Sequence, residues 1–416
     1  MRLAIVFLAA SCALGCSNKD SAPAPVSSAV PSASSAAVSL PDAPESPLAV
    51  VLESKNPVTF SGLGGGVVVA DEGRTTMATA AFGGELVATP MPTGLPAEGR
   101  IVRFSGRLPN SVWVIFEEPG KKAPKNPFLR LERQKGAFKQ YAEDWKPHLA
   151  EWSKKRILSM STSSGKLKIK VVEPYQDKPS PDWPSPALND ETCAKSLKVE
   201  ALAALSSGEA FASGTCKSGD SGRRHVIVRW PAASATDKLD AGIVDSGPMD
   251  AGGDAGDEAD GGEAPAVPIG IPGEVFAIAE ASRSMKDVAL VAGNSGDVWL
   301  LGADDTTSSL HRLEASTVVT QPLPKFQGPA RALASTGDGT LWLLSGNSIW
   351  KRTSAGEWEE IPPPTRAFPE PDPHWEMLDV WAGESDVWIA AKHWSTKATR
   401  YVVLRLRPAK DIVRWP

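Results

Sequence analysis

The sequence predicts an all-β chain built from about seven repeated four-stranded units, and three observations carry that prediction. A phrase made of a polar turn and an aliphatic–Trp–aliphatic strand recurs as Asp297-Val298-Trp299-Leu300-Leu301, Thr340-Leu341-Trp342-Leu343-Leu344 and Asp386-Val387-Trp388-Ile389-Ala390. Its tryptophans lie 43 and 46 residues apart, the period of a β-propeller blade. Around Trp342 four strands follow one another: residues 331–335, 340–344, 348–352 and 357–361. Turns at Gly337-Asp338-Gly339 and Ser354-Ala355-Gly356 punctuate them, and the run Pro362 to Pro364 closes the unit. Short apolar segments joined by Gly/Asp/Ser turns are hairpin signals, and four antiparallel strands make a blade.

The chain opens with Arg2 and a short apolar run over residues 3–10, too short to span a bilayer and patterned like a secretory signal. The run ends in Ala13-Leu14-Gly15-Cys16, which resembles a bacterial lipobox. That resemblance implies a signal peptide over 1–15, lipidation of Cys16 and a membrane contact through the N-terminal lipid. Residues 16–47 are rich in Ser, Ala and Pro with few charges. Such a segment does not bury enough apolar surface to offset its ordering entropy, so a disordered tether is expected.

From residue 48 to 416 seven units follow in order. The first pairs residues 58–61 with Gly66-Val67-Val68-Val69-Ala70, and the second pairs 101–106 with Ser111-Val112-Trp113-Val114-Ile115. The third joins residues 157–161 to Leu167-Lys168-Ile169-Lys170-Val171, with Lys168 at the Trp position. The fourth joins 202–205 to Ala210-Phe211-Ala212, and the last three carry Trp299, Trp342 and Trp388. Trp113, Phe211, Trp299, Trp342 and Trp388 are the structural repeat. A Trp buries on the order of 200 Å², so its simplest role is to fill the wedge between neighbouring blades. A row of Trp faces offered to a sugar is the alternative reading.

Residues 236–267 interrupt the pattern with Asp240-Ala241-Gly242, Asp245-Ser246-Gly247 and Asp250-Ala251-Gly252-Gly253-Asp254-Ala255-Gly256-Asp257. They carry no hydrophobic face, so a disordered acidic insertion is expected between the fourth and fifth units. Placed at a blade junction it leaves one closed propeller; otherwise 48–235 and 268–416 are separate β-domains. Its spacing matches neither an EF-hand nor a G-G-x-G-x-D nonapeptide, so no metal site is assigned.

Four cysteines occur. Cys12 leaves with the signal and Cys16 takes lipid, so Cys193 and Cys216 remain to form one disulfide in an oxidising compartment. The formal net charge of −5 in 416 residues gives no polyanion-binding signature, and nucleic acid is not an expected partner. His148, His225, His311, His374 and His393 make no HxxxH or HExxH spacing, and no G-x-S-x-G elbow or phosphate loop occurs. No cofactor is implied. Lys121, Lys122 and Lys125 form one basic loop, and Lys154, Lys155, Arg156, Lys166, Lys168 and Lys170 a second basic region. These are read as solvated faces, with anionic lipid or polysaccharide as the sharper alternative.

The phrase Asp338-Gly339-Thr340-Leu341-Trp342 resembles the propeller repeats of two-component-regulator sensors and of streptogramin-lyase-type proteins. The form running from Asp297 to Gly302, with the Asp-Ala-Gly run, is similar to envelope lipoproteins of myxobacteria. These resemblances imply a lipid-anchored, extracytoplasmic protein of a bacterial cell envelope, at the outer membrane or cell surface. The expected function is non-enzymatic: a propeller rim that binds an envelope protein or polysaccharide. The alternative is a lyase- or hydrolase-type enzyme with its site at the central channel. A cluster of His, Glu and Arg at the channel mouth would favour the enzyme.

Overall fold

The computed structural model of the protein describes residues 46–63, 65–108, 111–117, 128–132, 137–141, 148–153, 156–163, 166–172, 188–205, 209–218, 222–231, 272–278, 284–293, 296–353, 355–368, 370, 372–383, 385–406 and 411–415. Cys16, residues 16–45 of the expected tether, residues 236–267 and the lysines at 121, 122, 125, 154 and 155 lie outside this set, as do the side chains of Arg156, Lys166, Lys168 and Lys170. Among the described residues no helix is long and apolar enough to cross a membrane.

Strand β1 (Ala49–Ser54) precedes seven sheets. The first holds β2 (Val58–Leu63), β3 (Gly66–Asp71), β4 (Thr76–Ala81) and β5 (Val87–Pro90). The second holds β6 (Arg100–Arg107), β7 (Ser111–Glu117), β8 (Phe128–Glu132) and β9 (Ala137–Tyr141). The third has β10 (His148–Ser153), β11 (Arg156–Ser163) and β12 (Lys166–Val172). After the short helix α1 (Glu191–Ala194), the fourth holds β13 (Lys198–Ala204), β14 (Ala210–Ser218), β15 (Gly222–Trp230) and β16 (Glu274–Ala277). The fifth comprises β17 (Lys286–Ala292), β18 (Val298–Ala303), β19 (Ser308–Glu314) and β20 (Thr317–Gln321). The sixth comprises β21 (Ala330–Ser335), β22 (Leu341–Ser345), β23 (Ser348–Arg352) and β24 (Trp358–Ile361). The seventh takes β25 (His374–Ala382), β26 (Val387–Trp394) and β27 (Thr399–Arg405), then β1, then β28 (Val413–Trp415).

Sequential strands pair antiparallel within each sheet, and the first strands touch in series: β2, β6, β10, β13, β17, β21, β25 and back to β2. This is the arrangement of a β-propeller repeat fold, in which each sheet packs its face on the next. The N-terminal β1 supplies the fourth strand of the seventh sheet, with Glu53 opposite Val402 on β27, and β28 runs parallel beside it. The sequence reading assigned residues 49–54 to no unit.

Local chemistry explains the hairpins. In the fifth and sixth sheets the first turn is closed alike, by Gly293 N–H on the Asp297 carbonyl (2.8 Å) and Thr336 N–H on the Thr340 carbonyl (2.9 Å). Gly296 and Gly339 sit there at φ +84° and +83°, where a residue with a Cβ is strained. Packing then joins the sheets. Trp299 lies in one buried cluster with Leu333, Leu341 and Leu343 of the sixth sheet. Trp342 lies with Val380, Val387 and Ile389 of the seventh, and Trp388 with Phe60, Val67 and Val69 of the first. Phe211 packs with Leu290, Val298 and Leu300 of the fifth. Each aromatic is thus a wedge toward the following sheet, and with Trp113 all five are 1–3% exposed.

Two sequence expectations are corrected. The acidic insertion does not separate the fourth and fifth units. β15 and β16 pair directly, with Val228 opposite Val275, so the insertion falls inside the fourth sheet, between its third and fourth strands. The reading missed β16 because Glu274–Ala277 is four residues long and carries no turn phrase. In the third unit residues 157–161 were taken as the first strand. The first strand is β10, and β11 and β12 are the second and third. Lys168 therefore lies on the third strand, and the Trp position does not fall on it.

Candidate functional site

Six of the seven first strands share a device absent from the sequence reading. A register shift interrupts β6 between Ile101 and Arg103, β10 between Glu151 and Ser153, β13 between Val199 and Ala201, β17 between Asp287 and Ala289, β21 between Ala330 and Ala332, and β25 between Met377 and Asp379. A β-bulge re-aims the side chains on either side of it.

Beyond the bulges, the ends of β2, β13, β17, β21 and β25 surround a central cavity of about 670 Å³. Its lining is uncharged, with Ala203, Ala292, Ala334 and Ala382 beside leucines, valines and the glycines of the hairpin turns. No ionisable side chain lies among its described lining residues. Two aromatic rings stand at this site, Trp381 from β25 and Phe82 from the end of β4. Trp381 lies directly over Gly62, where a Cβ would sit 1.7 Å from its Cδ1. Its far edge and the Phe82 ring both approach Gly383, 2.9 and 3.0 Å from a Cβ built there. Any side chain at Gly62 would displace the indole. Backbone bonds hold the rim, from Gly337 N–H to the Gly383 carbonyl (3.0 Å) and from Phe82 N–H to the Gly65 carbonyl (2.7 Å). The amides of Gly293, Thr336, Gly337 and Gly383 and the hydroxyls of Ser335 and Thr336 already donate within the turns, so the polar groups left for a ligand here are carbonyl and hydroxyl oxygens that accept.

A second cavity of about 390 Å³ lies where β2 and β6 begin, walled by Phe60, Ile101, Leu378 and Ala390 and bearing the charged groups Asp71, Glu72, Arg74, Arg100 and Asp379. The β25 bulge leaves Leu378 without a partner, and Asp379 resumes the register opposite Ala390. Burial pushes its carboxyl up from 3.8 to about 6, against the single hydrogen bond it accepts from Val380 N–H (2.8 Å).

The histidines whose side chains are described, His225, His311, His374 and His393, line neither cavity. His393 is fully buried between Phe368 (ring centroids 4.5 Å apart) and Trp375 (4.8 Å), and desolvation lowers its pKa. His374 stacks on Trp394, and His311 sits between Ser309 and Thr320. His225 lies 3.7 Å from the buried Asp287. Among the described residues no group of three or more His, Cys, Asp or Glu is placed to hold a metal.

Cys193 on α1 and Cys216 on β14 form a disulfide with Cα atoms 5.1 Å apart, both buried. Asp190 caps α1 by accepting from Cys193 N–H (2.9 Å) and pairs with Arg224 of β15. The clip lies on the fourth sheet, away from the cavity-lining ends of the first strands.

The repeat aromatics also have partners that the sequence reading did not find. Phe211 lies opposite Arg229, Trp299 opposite Arg312 and Trp388 opposite Arg405. The acidic residue two positions before each aromatic pairs with that arginine: Glu209–Arg229 (2.7 Å), Asp297–Arg312 (2.6 Å) and Asp386–Arg405 (2.7 Å). Arg312 and Arg405 also lie over the indoles of Trp299 and Trp388, at 5.3 and 4.6 Å. The arginines follow their aromatics by 18, 13 and 17 residues, an offset too variable to show as a motif.

A scan against protein-family models finds no match, and a search of curated proteins finds none. Among solved structures the chain is similar to a catalytically inactive virginiamycin B lyase from Staphylococcus aureus with quinupristin, at 12% identity and a TM-score of 0.48, over 85% of this chain and 94% of that one. It is similar to YCF48 from Cyanidioschyzon merolae at 12% identity and 0.45, over 87% and 96%. It is also similar to the extracellular domain of the putative one-component system BT4673 from B. thetaiotaomicron at 10% identity and 0.46, over 88% of this chain and 39% of that one.

Proposed function

We propose that the seven sheets are the blades of one closed propeller, and that this propeller is a non-enzymatic binding module of a lipid-anchored envelope protein. Its ligand is a neutral glycan of the envelope, held in the central cavity. The uncharged cavity carries the reading. General acid–base or nucleophilic chemistry needs a titratable group within hydrogen-bond reach of the substrate, and the described lining offers none. What it offers is two aromatic rings and the acceptor oxygens of turn carbonyls, Ser335 and Thr336. Pockets of this kind bind by apolar contact with a few placed polar groups. A sugar presents C–H faces to an indole and donates its hydroxyls to oxygens of this kind. The anchor at Cys16 and the envelope location are supported by the N-terminal pattern alone.

The test is a glycan array followed by calorimetry on the hits. Neutral oligosaccharides are expected to bind, and Trp381→Ala or Phe82→Ala to weaken them about tenfold, roughly 1.4 kcal/mol. Phe82 is 41% exposed, so its removal leaves folding intact and keeps the test clean. Binding that is absent, or unchanged in both variants, overturns the reading.

A further inference from the structure

The second cavity holds a half-buried carboxylate, that of Asp379, with no counter-charge paired to it. Its other charged groups are mostly spoken for. Asp71 accepts from Thr75 and Thr76, at 2.6 to 3.1 Å, and so closes its own turn. Arg74 donates to the carbonyls of Pro96 (2.7 Å) and Ala97 (2.6 Å) and lies over the Phe116 ring. Thr59 Oγ1 donates to the Ile101 carbonyl (3.2 Å), and Arg100 takes part in another interaction. Asp379 has only the Val380 N–H, and the Glu72 side chain has no hydrogen bond or ion pair among the described residues. The walls around them are apolar, with Phe60 and Ile101 buried and Leu378 half-buried.

A carboxylate kept in a partly apolar cavity costs stability unless something of opposite charge joins it. A divalent metal asks for six or more oxygens, which Asp379 and Glu72 do not supply. A singly charged organic cation needs one carboxylate and an apolar wall, and both are present. We propose that this cavity binds a small primary amine on a short apolar body, with its ammonium on Asp379 and its body against Phe60 and Leu378. Glu72 at the edge adds attraction for the same charge. The site is separate from the central cavity, and the proposal stands whether or not a glycan binds there.

The test is calorimetric titration of the full chain with ethylamine, butylamine and benzylamine, and with the matching alcohols, at pH 5 and pH 8. The amines are expected to bind, with affinity rising with the apolar body and about tenfold from pH 5 to pH 8 as the carboxyl ionises. Each alcohol is expected to bind at least tenfold more weakly than its amine. Asp379→Asn should lose amine binding, and Glu72→Gln should weaken it a few-fold. The comparison of amine with alcohol on the unaltered chain is independent of any variant's folding. Equal binding of the two, no binding of either, or full amine binding by Asp379→Asn overturns the proposal.

Discussion

Asp379 and Asp386 are seven residues apart, and the fold treats them in opposite ways. Asp386 is fully buried, and Arg405 meets both of its oxygens. Removing one partner of such a pair leaves the other charge buried alone, at about 3–5 kcal/mol. Arg405→Met is therefore expected to cost about that much in urea unfolding. Arg312→Met, whose pair with Asp297 is about one-third exposed on each side, should cost about 1 kcal/mol or less. Equal losses would refute the burial argument. Asp379 has no such partner. Its raised pKa means that the folded state holds a proton the unfolded state has released between pH 3.8 and about 6. Its stabilising contribution is thus complete below pH 3.8 and lost as pH rises through 6, a difference on the order of 2–3 kcal/mol. Asp379→Asn should accordingly be more stable than the parent at pH 8 and nearly equal at pH 3.5. A variant no more stable at pH 8 would contradict this. A residue that weakens the fold at neutral pH is where a ligand has most to offset.

At the level of strands, legibility in the sequence follows the side chains. The fifth, sixth and seventh sheets were readable because a buried Trp in the second strand and a Gly, Asn or Asp turn before it fall at near-constant spacing. The third unit was misread by one strand, because Arg156-Ile157-Leu158 opens β11 with no aromatic to mark it. Strand β16 was missed because its partner lies across the acidic segment, and a strand of four residues has too little alternation to show. The bulges have no signature of their own, so neither the second cavity nor Asp379 was predicted. They depend on how two strands are offset, which a single strand's pattern does not reveal. The sequence reading set binding on the propeller rim and named the central channel only for its enzymatic alternative. Trp381 reads as one more strand tryptophan, and only the bare backbone of Gly62 beneath it shows why it stands at the rim.

Across the whole molecule, the fourth sheet decides how the chain divides. β15 and β16 stand on either side of the acidic segment and are hydrogen-bonded to each other. The seventh sheet likewise takes β1 from near the start of the described residues. Residues 48–235 expressed alone lack the fourth strand of one sheet and leave β1 without β27. They are expected to show no cooperative thermal unfolding, whereas residues 48–416 should unfold in one transition. Cooperative unfolding of the fragment would instead support two separate β-domains. The pairing of β1 with β27 also sets an order of events. Ala49 leaves the ribosome some 350 residues before its partner Arg405, so the strand that completes the last sheet waits through most of synthesis with no place to go. Joining ends so far apart in the chain is slow. Whatever handles this polypeptide before its last strands are made meets it open, with an unpaired apolar strand near its leading end.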